Sequence, residues 1–139
     1  MPESRSNVFV RALETAVGVG KDDPSDLFTD DVRCWSPALN VSSLADLSAA
    51  LEDRDEALSN VTVSVRSLNA AGNKVIAEWR LDADHTGPIT LSEDYTVEPT
   101  GRHVHVGGAT FAEFRGDKIE AFRSYFDDLA LIEQLTSPG

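Results

Sequence analysis

The chain has 139 residues, a length typical of one domain spanning residues 1–139, and its 41% hydrophobic content is that of a globular protein. Twelve Lys and Arg against 24 Asp and Glu leave a formal net charge of −12, which argues against partners of the same sign: nucleic acid and anionic membrane surfaces. The single cysteine, Cys34, permits no intrachain disulfide, and no apolar run is long enough for a membrane span. The sequence therefore predicts a soluble, cytoplasmic protein.

The first part of the chain carries helical patterns. Apolar residues from Val8 to Ala16 recur at helical spacing, and Ser43 is a candidate cap for a helix whose apolar stripe runs from Leu44 to Leu58. A proline at position 37 biases the segment before it toward an extended conformation. The predicted elements are a helix at 8–16, a short helical piece after the turn at 23–26 that runs through Leu27 and Phe28, an extended segment at 32–37, and a third helix from 43.

From Val61 onward apolar residues recur at every second position, which is typical of half-buried strands. The clearest run is Val75 to Asp84, in which one face is apolar and the other mostly charged. Gly116 and Asp117 predict a tight hairpin, and a helical pattern follows Asp127. The first predicted strand starts at 61 and ends at a turn at 69–73. The other predicted strands cover 75–84, 89–97, 102–115 and 118–126. This order predicts an α+β fold, a curved antiparallel sheet over N-terminal helices with a cavity between the layers.

Three segments carry a family resemblance: His85-Thr86-Gly87, Pro99-Thr100-Gly101-Arg102, and the stretch GDKIEAFRSYFD at 116–127. Together they resemble the SnoaL-like polyketide cyclases of the nuclear transport factor 2-like superfamily, and the last is also similar to the tails of limonene-epoxide hydrolases. The resemblance covers nearly the whole chain. It implies a cone-shaped barrel with an internal pocket and a homodimer formed through the outer face of the sheet.

The resemblance also shows where the catalytic pattern is broken. It implies an Asp on the last long strand, but that position holds Ser124, and it implies a His on the preceding strand, where Thr110 stands. The resemblance to the epoxide hydrolases implies a catalytic Arg and Asp two positions apart on an earlier strand, and an ungapped alignment places them near Trp79 and Leu81. A neutral hydroxyl cannot take a proton unaided at neutral pH. Neither activity therefore carries over to this chain by name.

Three other residues could replace the missing acid, and each has a structural alternative. Glu93 is the best replacement by alignment, but it also fits a solvated edge strand. His85 could be a general base at the cavity rim or an ordinary loop side chain. Asp127 could be an acid at the barrel mouth, although a helix N-cap is the commoner role of such a residue.

His103 and His105 alternate on one strand, and strand parity points both away from the pocket. Two histidines are too few for a zinc site. We therefore expect no metal and no cofactor.

The pocket itself is predicted from the large side chains and from strand parity. Trp35 and Trp79 are expected to form flat apolar walls suited to a ring-shaped ligand. Ser124 is expected to point into the cavity between Phe122 and Phe126. The predicted pocket lining is Trp35, Trp79, Leu81, Thr110, Phe122, Ser124 and Phe126.

Two functions remain open from the sequence. One is a cofactor-free cyclase, isomerase or hydrolase that acts by proton transfer on a small apolar cyclic or polyketide-like molecule. The alternative is a non-catalytic module that binds such a ligand or serves as a dimeric scaffold, because fold alone does not settle function.

Overall fold

The computed structural model describes residues 4–37, 39–52, 57–92 and 94–136. Twelve elements follow one another along this part of the chain. They are α1 (Arg5–Ala16), α2 (Pro24–Leu27), β1 (Phe28–Ser36), β2 (Leu39–Val41), α3 (Leu44–Glu52), β3 (Leu58–Ala71), β4 (Lys74–His85), β5 (Ile89–Ser92), β6 (Tyr95–Val97), β7 (His103–Arg115), β8 (Lys118–Phe126) and α4 (Asp128–Thr136).

Six strands form one curved sheet in the order β2-β1-β8-β7-β4-β3, and β5 pairs with β6 as a separate hairpin. The predicted α+β class is confirmed, with helices packed on one face of the sheet. The pairing is antiparallel except between β1 and β8, which run parallel. Local hairpins can produce only antiparallel pairs, so the parallel pair arises from β1 meeting a strand at the other end of the chain.

Three local features differ from the sequence expectations. Phe28 opens β1, where it is paired with Ile119, rather than closing a helix. Leu58 lies opposite His85 at the start of β3 instead of extending the stripe of α3. The segment 89–97 folds back on itself as two short strands. In each case pairing with another strand outweighs the local periodicity.

Burial alternates along the two central strands. The odd positions of β4 from Val75 to Ala83 and the even positions of β7 from Val104 to Phe114 are mostly buried, and these side chains form the concave face of the sheet. Phe9 of α1 contacts Phe122 of β8 with 6.1 Å between ring centroids. The core therefore lies between the helices and the concave face. No helix in the described part of the chain is long and apolar enough to span a membrane.

Candidate ligand-binding site

A cavity of about 130 Å³ lies between α1, α3 and the concave face of the sheet. Its walls come from two helices and four strands. The lining residues are Leu13, Ala16, Val17, Phe28, Cys34, Trp35, Ser36, Leu39, Leu47, Leu51, Trp79, Phe122, Ser124 and Phe126.

The lining is apolar and rich in aromatic rings. Among its described members, the polar side-chain groups are the hydroxyls of Ser36 and Ser124, the thiol of Cys34 and the indole N–H groups of Trp35 and Trp79. Burial raises the pKa of the Cys34 thiol to about 12, so this group stays protonated and unreactive at neutral pH. The described walls thus hold neutral groups and no carboxylate or imidazole, which suits a neutral, mostly apolar ligand.

A second, more open cavity of about 370 Å³ adjoins the first and shares several walls with it, among them Ala16, Leu51, Trp79 and Phe126. Leu81 belongs to this outer cavity. The two spaces form an inner chamber with a wider mouth. The mouth alone falls within the usual range of ligand pockets, about 300–1,000 Å³.

Three side chains at the wall of the inner chamber are joined by hydrogen bonds. Two of them line the chamber and the third is buried behind the wall. The indole Nε1 of Trp79 donates to Oγ1 of Thr110 over 2.9 Å. Thr110 Oγ1 lies 2.8 Å from Oγ of Ser124, its cross-strand partner on β8. Thr110 is fully buried, whereas Ser124 is partly exposed on the chamber wall. Thr110 and Ser124, at which the resemblance implies a His and an Asp, are therefore adjacent and joined through their hydroxyl groups.

Most predicted lining residues border the two cavities. Trp79, Phe122, Ser124 and Phe126 lie on the inner chamber, Leu81 lies on the mouth, and Thr110 stands one layer behind. Trp35 also borders the chamber, but it is paired with Arg123, is 40% exposed and packs its ring on Tyr125 at 5.1 Å, so the ring itself lies on the convex face of the sheet.

His85 is fully buried at the end of β4. Its Nδ1 accepts the backbone N–H of Thr100 over 3.2 Å and lies 2.9 Å from the Thr100 hydroxyl. Acceptance at Nδ1 places the ring proton on Nε2. Nε2 has no hydrogen-bond partner within the described residues.

Asp127 is the N-cap of α4. Its Oδ1 accepts the backbone N–H of Ala130 over 2.9 Å, and its carbonyl accepts the N–H of Leu131. The first contact satisfies a donor that the first turn of a helix leaves open, and the second is the first main-chain bond of the helix itself. Glu93 lies outside the described residues.

His103 and His105 are exposed on the convex face, as strand parity predicts. His103 bridges two carboxylates, with Nδ1 3.1 Å from Asp84 and Nε2 3.3 Å from Asp82. These hydrogen bonds, with Asp84 the larger influence, raise the pKa of His103. The described residues contain no group of three or more His, Cys, Asp or Glu side chains placed to hold a metal.

The sequence interpretation missed the helical walls of the chamber. Leu13 of α1 and Val17, the C-cap of α1, form one side of it with Leu47 and Leu51 of α3. Their apolar stripes were visible in the sequence, but a stripe does not distinguish a residue that fills a core from one that lines a cavity. Gly108 was also missed. It lies opposite Trp79, and a Gly-Gly pair in a strand is the signal of such a close approach.

The sequence model of the SnoaL-like polyketide cyclase family matches residues 7–135. Comparison with curated proteins finds no match. Solved structures match over almost the whole chain. A proposed SnoaL-like polyketide cyclase from Jannaschia sp. CCS1 has a TM-score of 0.80 at 19% identity, covering 97% of this chain and 93% of that one.

Two further structures match with other described activities. AclR, a proposed hydroxylase from Streptomyces galilaeus, has a TM-score of 0.72 at 22% identity, covering 97% of this chain and 84% of that one. An LEH-like epoxide hydrolase from M. tuberculosis has a TM-score of 0.63 at 15% identity, covering 94% and 86%. At these identities the likeness shows a common fold, and one fold serves several chemistries.

Proposed function

Because the chain belongs to the SnoaL-like polyketide cyclase family, we propose that it binds a small, neutral, mostly apolar cyclic or polyketide-like molecule in the chamber between α1, α3 and the sheet. The observation that carries this proposal is the lining, in which aromatic and aliphatic walls surround hydroxyl and thiol groups. Burial of a ring-shaped ligand against such walls is favourable at about 25 cal/mol per Å² of apolar surface.

Binding without proton transfer is favoured over catalysis by the same residues. A cofactor-free cyclase or hydrolase needs a group that accepts a proton near neutral pH. Ser124 and Thr110 offer hydroxyls where the family pattern has an acid and an imidazole, and no described lining residue replaces them. We therefore expect no turnover of an aldol cyclisation substrate or of styrene oxide above the buffer rate.

The binding test uses tetralin, a bicyclic hydrocarbon, and follows tryptophan emission, because Trp79 borders both cavities. We expect a saturable change. Ala16 lies exposed at the end of α1 and borders both cavities, so Ala16→Phe should fill the mouth and weaken binding about tenfold, roughly 1.4 kcal/mol. Ala16→Ser is the matched control, with an effect within about twofold. An unsaturable signal, or equal binding in the two variants, would contradict the proposal.

Proton-transfer catalysis is the second candidate, and His85 is the observation that favours it. A fully buried imidazole N–H without a described partner is costly, and such groups often have a functional role. In the tautomer set by Thr100, Nε2 of His85 would donate a hydrogen bond to a substrate oxygen, and Glu93 would be the group that takes the proton. Turnover of styrene oxide that is lost in both His85→Asn and Glu93→Gln would favour this candidate over binding alone.

We also propose that the partner on the convex face of the sheet is a second copy of this chain. Trp35, Tyr125 and Phe111 form a continuous exposed aromatic row, with ring centroids 5.1 and 5.9 Å apart. The charged side chains around this aromatic row do not share the strong negative charge of the whole chain, −12, so charge repulsion does not oppose self-association at this face. They are Arg33, Lys74, Arg123, Glu78 and Glu113.

The proposed location is the reducing cytoplasm, where the buried thiol of Cys34 is stable.

A further inference from the structure

The chain of hydrogen bonds from Trp79 through Thr110 to Ser124 has a direction, and that direction determines what Ser124 offers to the chamber. An indole N–H is a donor only, so the bond from Trp79 to Thr110 has Thr110 as acceptor. The bond between Thr110 and Ser124 joins two hydroxyls, and its length of 2.8 Å does not by itself say which one donates.

Burial of Thr110 decides the direction. Its side chain is fully buried, so its hydroxyl proton needs an acceptor inside the protein. Its two side-chain contacts in the described structure are Trp79, which cannot accept, and Ser124, which can. If Ser124 donated instead, the Thr110 proton would be buried without a partner. Thr110 therefore donates to Ser124.

Ser124 then accepts from Thr110, and its own proton is free to point elsewhere. Its position on the wall, between Phe122 and Phe126 on the same face of β8, directs that proton toward the chamber. We infer that Ser124 is a hydrogen-bond donor to the ligand, and that the ligand carries a neutral acceptor, a ketone or ether oxygen, opposite it. This inference rests on the proposed binding function and specifies the ligand class.

An anionic acceptor is disfavoured by charge. The described lining contains no cation, and the chain carries a net charge of −12, so a carboxylate ligand would lose its hydration without gaining a partner of opposite sign. A ligand oxygen that accepts a hydrogen bond uses the one Ser124 proton that the protein leaves unpaired. The ligand class that fits is thus an apolar ring system with a neutral acceptor oxygen.

The test compares 2-tetralone, which has a ketone, with tetralin, which has the same two rings and no oxygen. Because the two differ in solubility, the measured quantity is the ratio of their affinities in each variant. We expect Ser124→Ala to lower the ratio of 2-tetralone to tetralin affinity by about 2- to 10-fold, the range expected for one net hydrogen bond, while tetralin binding persists. Ser124→Thr keeps the hydroxyl and should retain the native ratio.

A spectroscopic readout tests the direction of the bond itself. A donated hydrogen bond weakens a carbonyl, so the infrared C=O stretch of bound 2-tetralone should lie at lower frequency in the native protein and Ser124→Thr than in Ser124→Ala. Equal frequencies in all three proteins would overturn the inference even if 2-tetralone binds. Absence of binding by both compounds would instead overturn the proposed binding function, so the two failures are distinguishable.

Discussion

At the scale of single residues, the position of the Trp79 ring depends on the absence of a side chain at Gly108. A Cβ atom built at Gly108 would lie 2.7 Å from Cη2 of Trp79, closer still to Cζ2, and 2.8 Å from the carbonyl oxygen of Tyr125. Contacts this short do not occur between real side chains, and the backbone carbonyl cannot move independently of β8. The glycine therefore allows the indole to reach Thr110 and to form the chamber wall.

We expect Gly108→Ala to destabilise the protein by about 1–3 kcal/mol, the usual cost of overpacking a core. Urea unfolding measures this change. Gly107→Ala is the control, because its Cβ would meet nothing closer than the Trp79 carbonyl oxygen at 4.0 Å. If the two alanines have the same effect, the close approach of Trp79 does not restrict position 108.

At the scale of elements, α4 is held at both ends by polar contacts with precise partners. Near its C-terminal end, Gln134 donates to the carbonyl of His105 over 2.8 Å and accepts the His105 N–H over 2.9 Å. β8 pairs with β7 only from Gly108 onward, so His105 has no strand partner on that side and Gln134 satisfies its main chain. At the other end, Asp127 caps the first turn.

The capping role of Asp127 leads to a test that separates it from a catalytic acid. Asp127→Ala should lower the free energy of unfolding by about 1 kcal/mol, whereas Asp127→Asn should retain most of it, because an amide oxygen also accepts the Ala130 N–H. The midpoint of urea unfolding reports both. A loss of stability as large in Asp127→Asn as in Asp127→Ala would contradict the cap.

A second prediction at this scale concerns His103, which connects β7 to Asp82 and Asp84 of β4. The two carboxylates raise the pKa of His103 above its ordinary value, about 6.5. The charged form is therefore favoured in the folded state. Its contribution to stability is complete below about pH 6.5 and is lost as the pH rises through the raised pKa. His103→Gln should flatten this part of the stability profile.

The measurement is the thermal unfolding midpoint from about pH 5 to about pH 9, the window in which a histidine of raised pKa titrates. His105→Gln, on the same face of β7, is the matched control and should leave the pH dependence in place. An unchanged profile in His103→Gln would show that the bridge contributes no measurable stability.

At the scale of the whole molecule, the aromatic row on the convex face leads to a prediction about the mass of the protein in solution. Phe111 is 38% exposed, so Phe111→Glu should leave the fold intact and convert the proposed dimer to a species near the 15.1 kDa of one chain. Light scattering at micromolar concentration measures this. Val65→Glu is the control, because Val65 is equally exposed at 37% but is paired with Trp79 on the other face. A native mass of about 15 kDa would contradict the dimer.

The sequence alone determined the features that depend on local periodicity. The alternation from Val75 to Asp84 predicts β4 and its buried face correctly, and parity on β7 and β8 places Thr110 and Ser124 inward and His103 outward. These inferences succeed because side chains on a strand alternate with a period of two, whatever the strand pairs with. That Ser124 and Thr110 stand where the family has a catalytic Asp and His remains an expectation from the resemblance, and the structure shows that the two residues are cross-strand partners.

Only the tertiary structure decided what brings distant segments together. The parallel pairing of β1 with β8, the chamber walls from α1 and α3, and the burial of His85 against Thr100 all depend on register between elements far apart in the chain. The same holds for the contact of Trp79 with Thr110, which makes Ser124 a donor. Local sequence patterns do not predict these contacts, because the contacts arise from how curved layers pack rather than from the preference of any single segment.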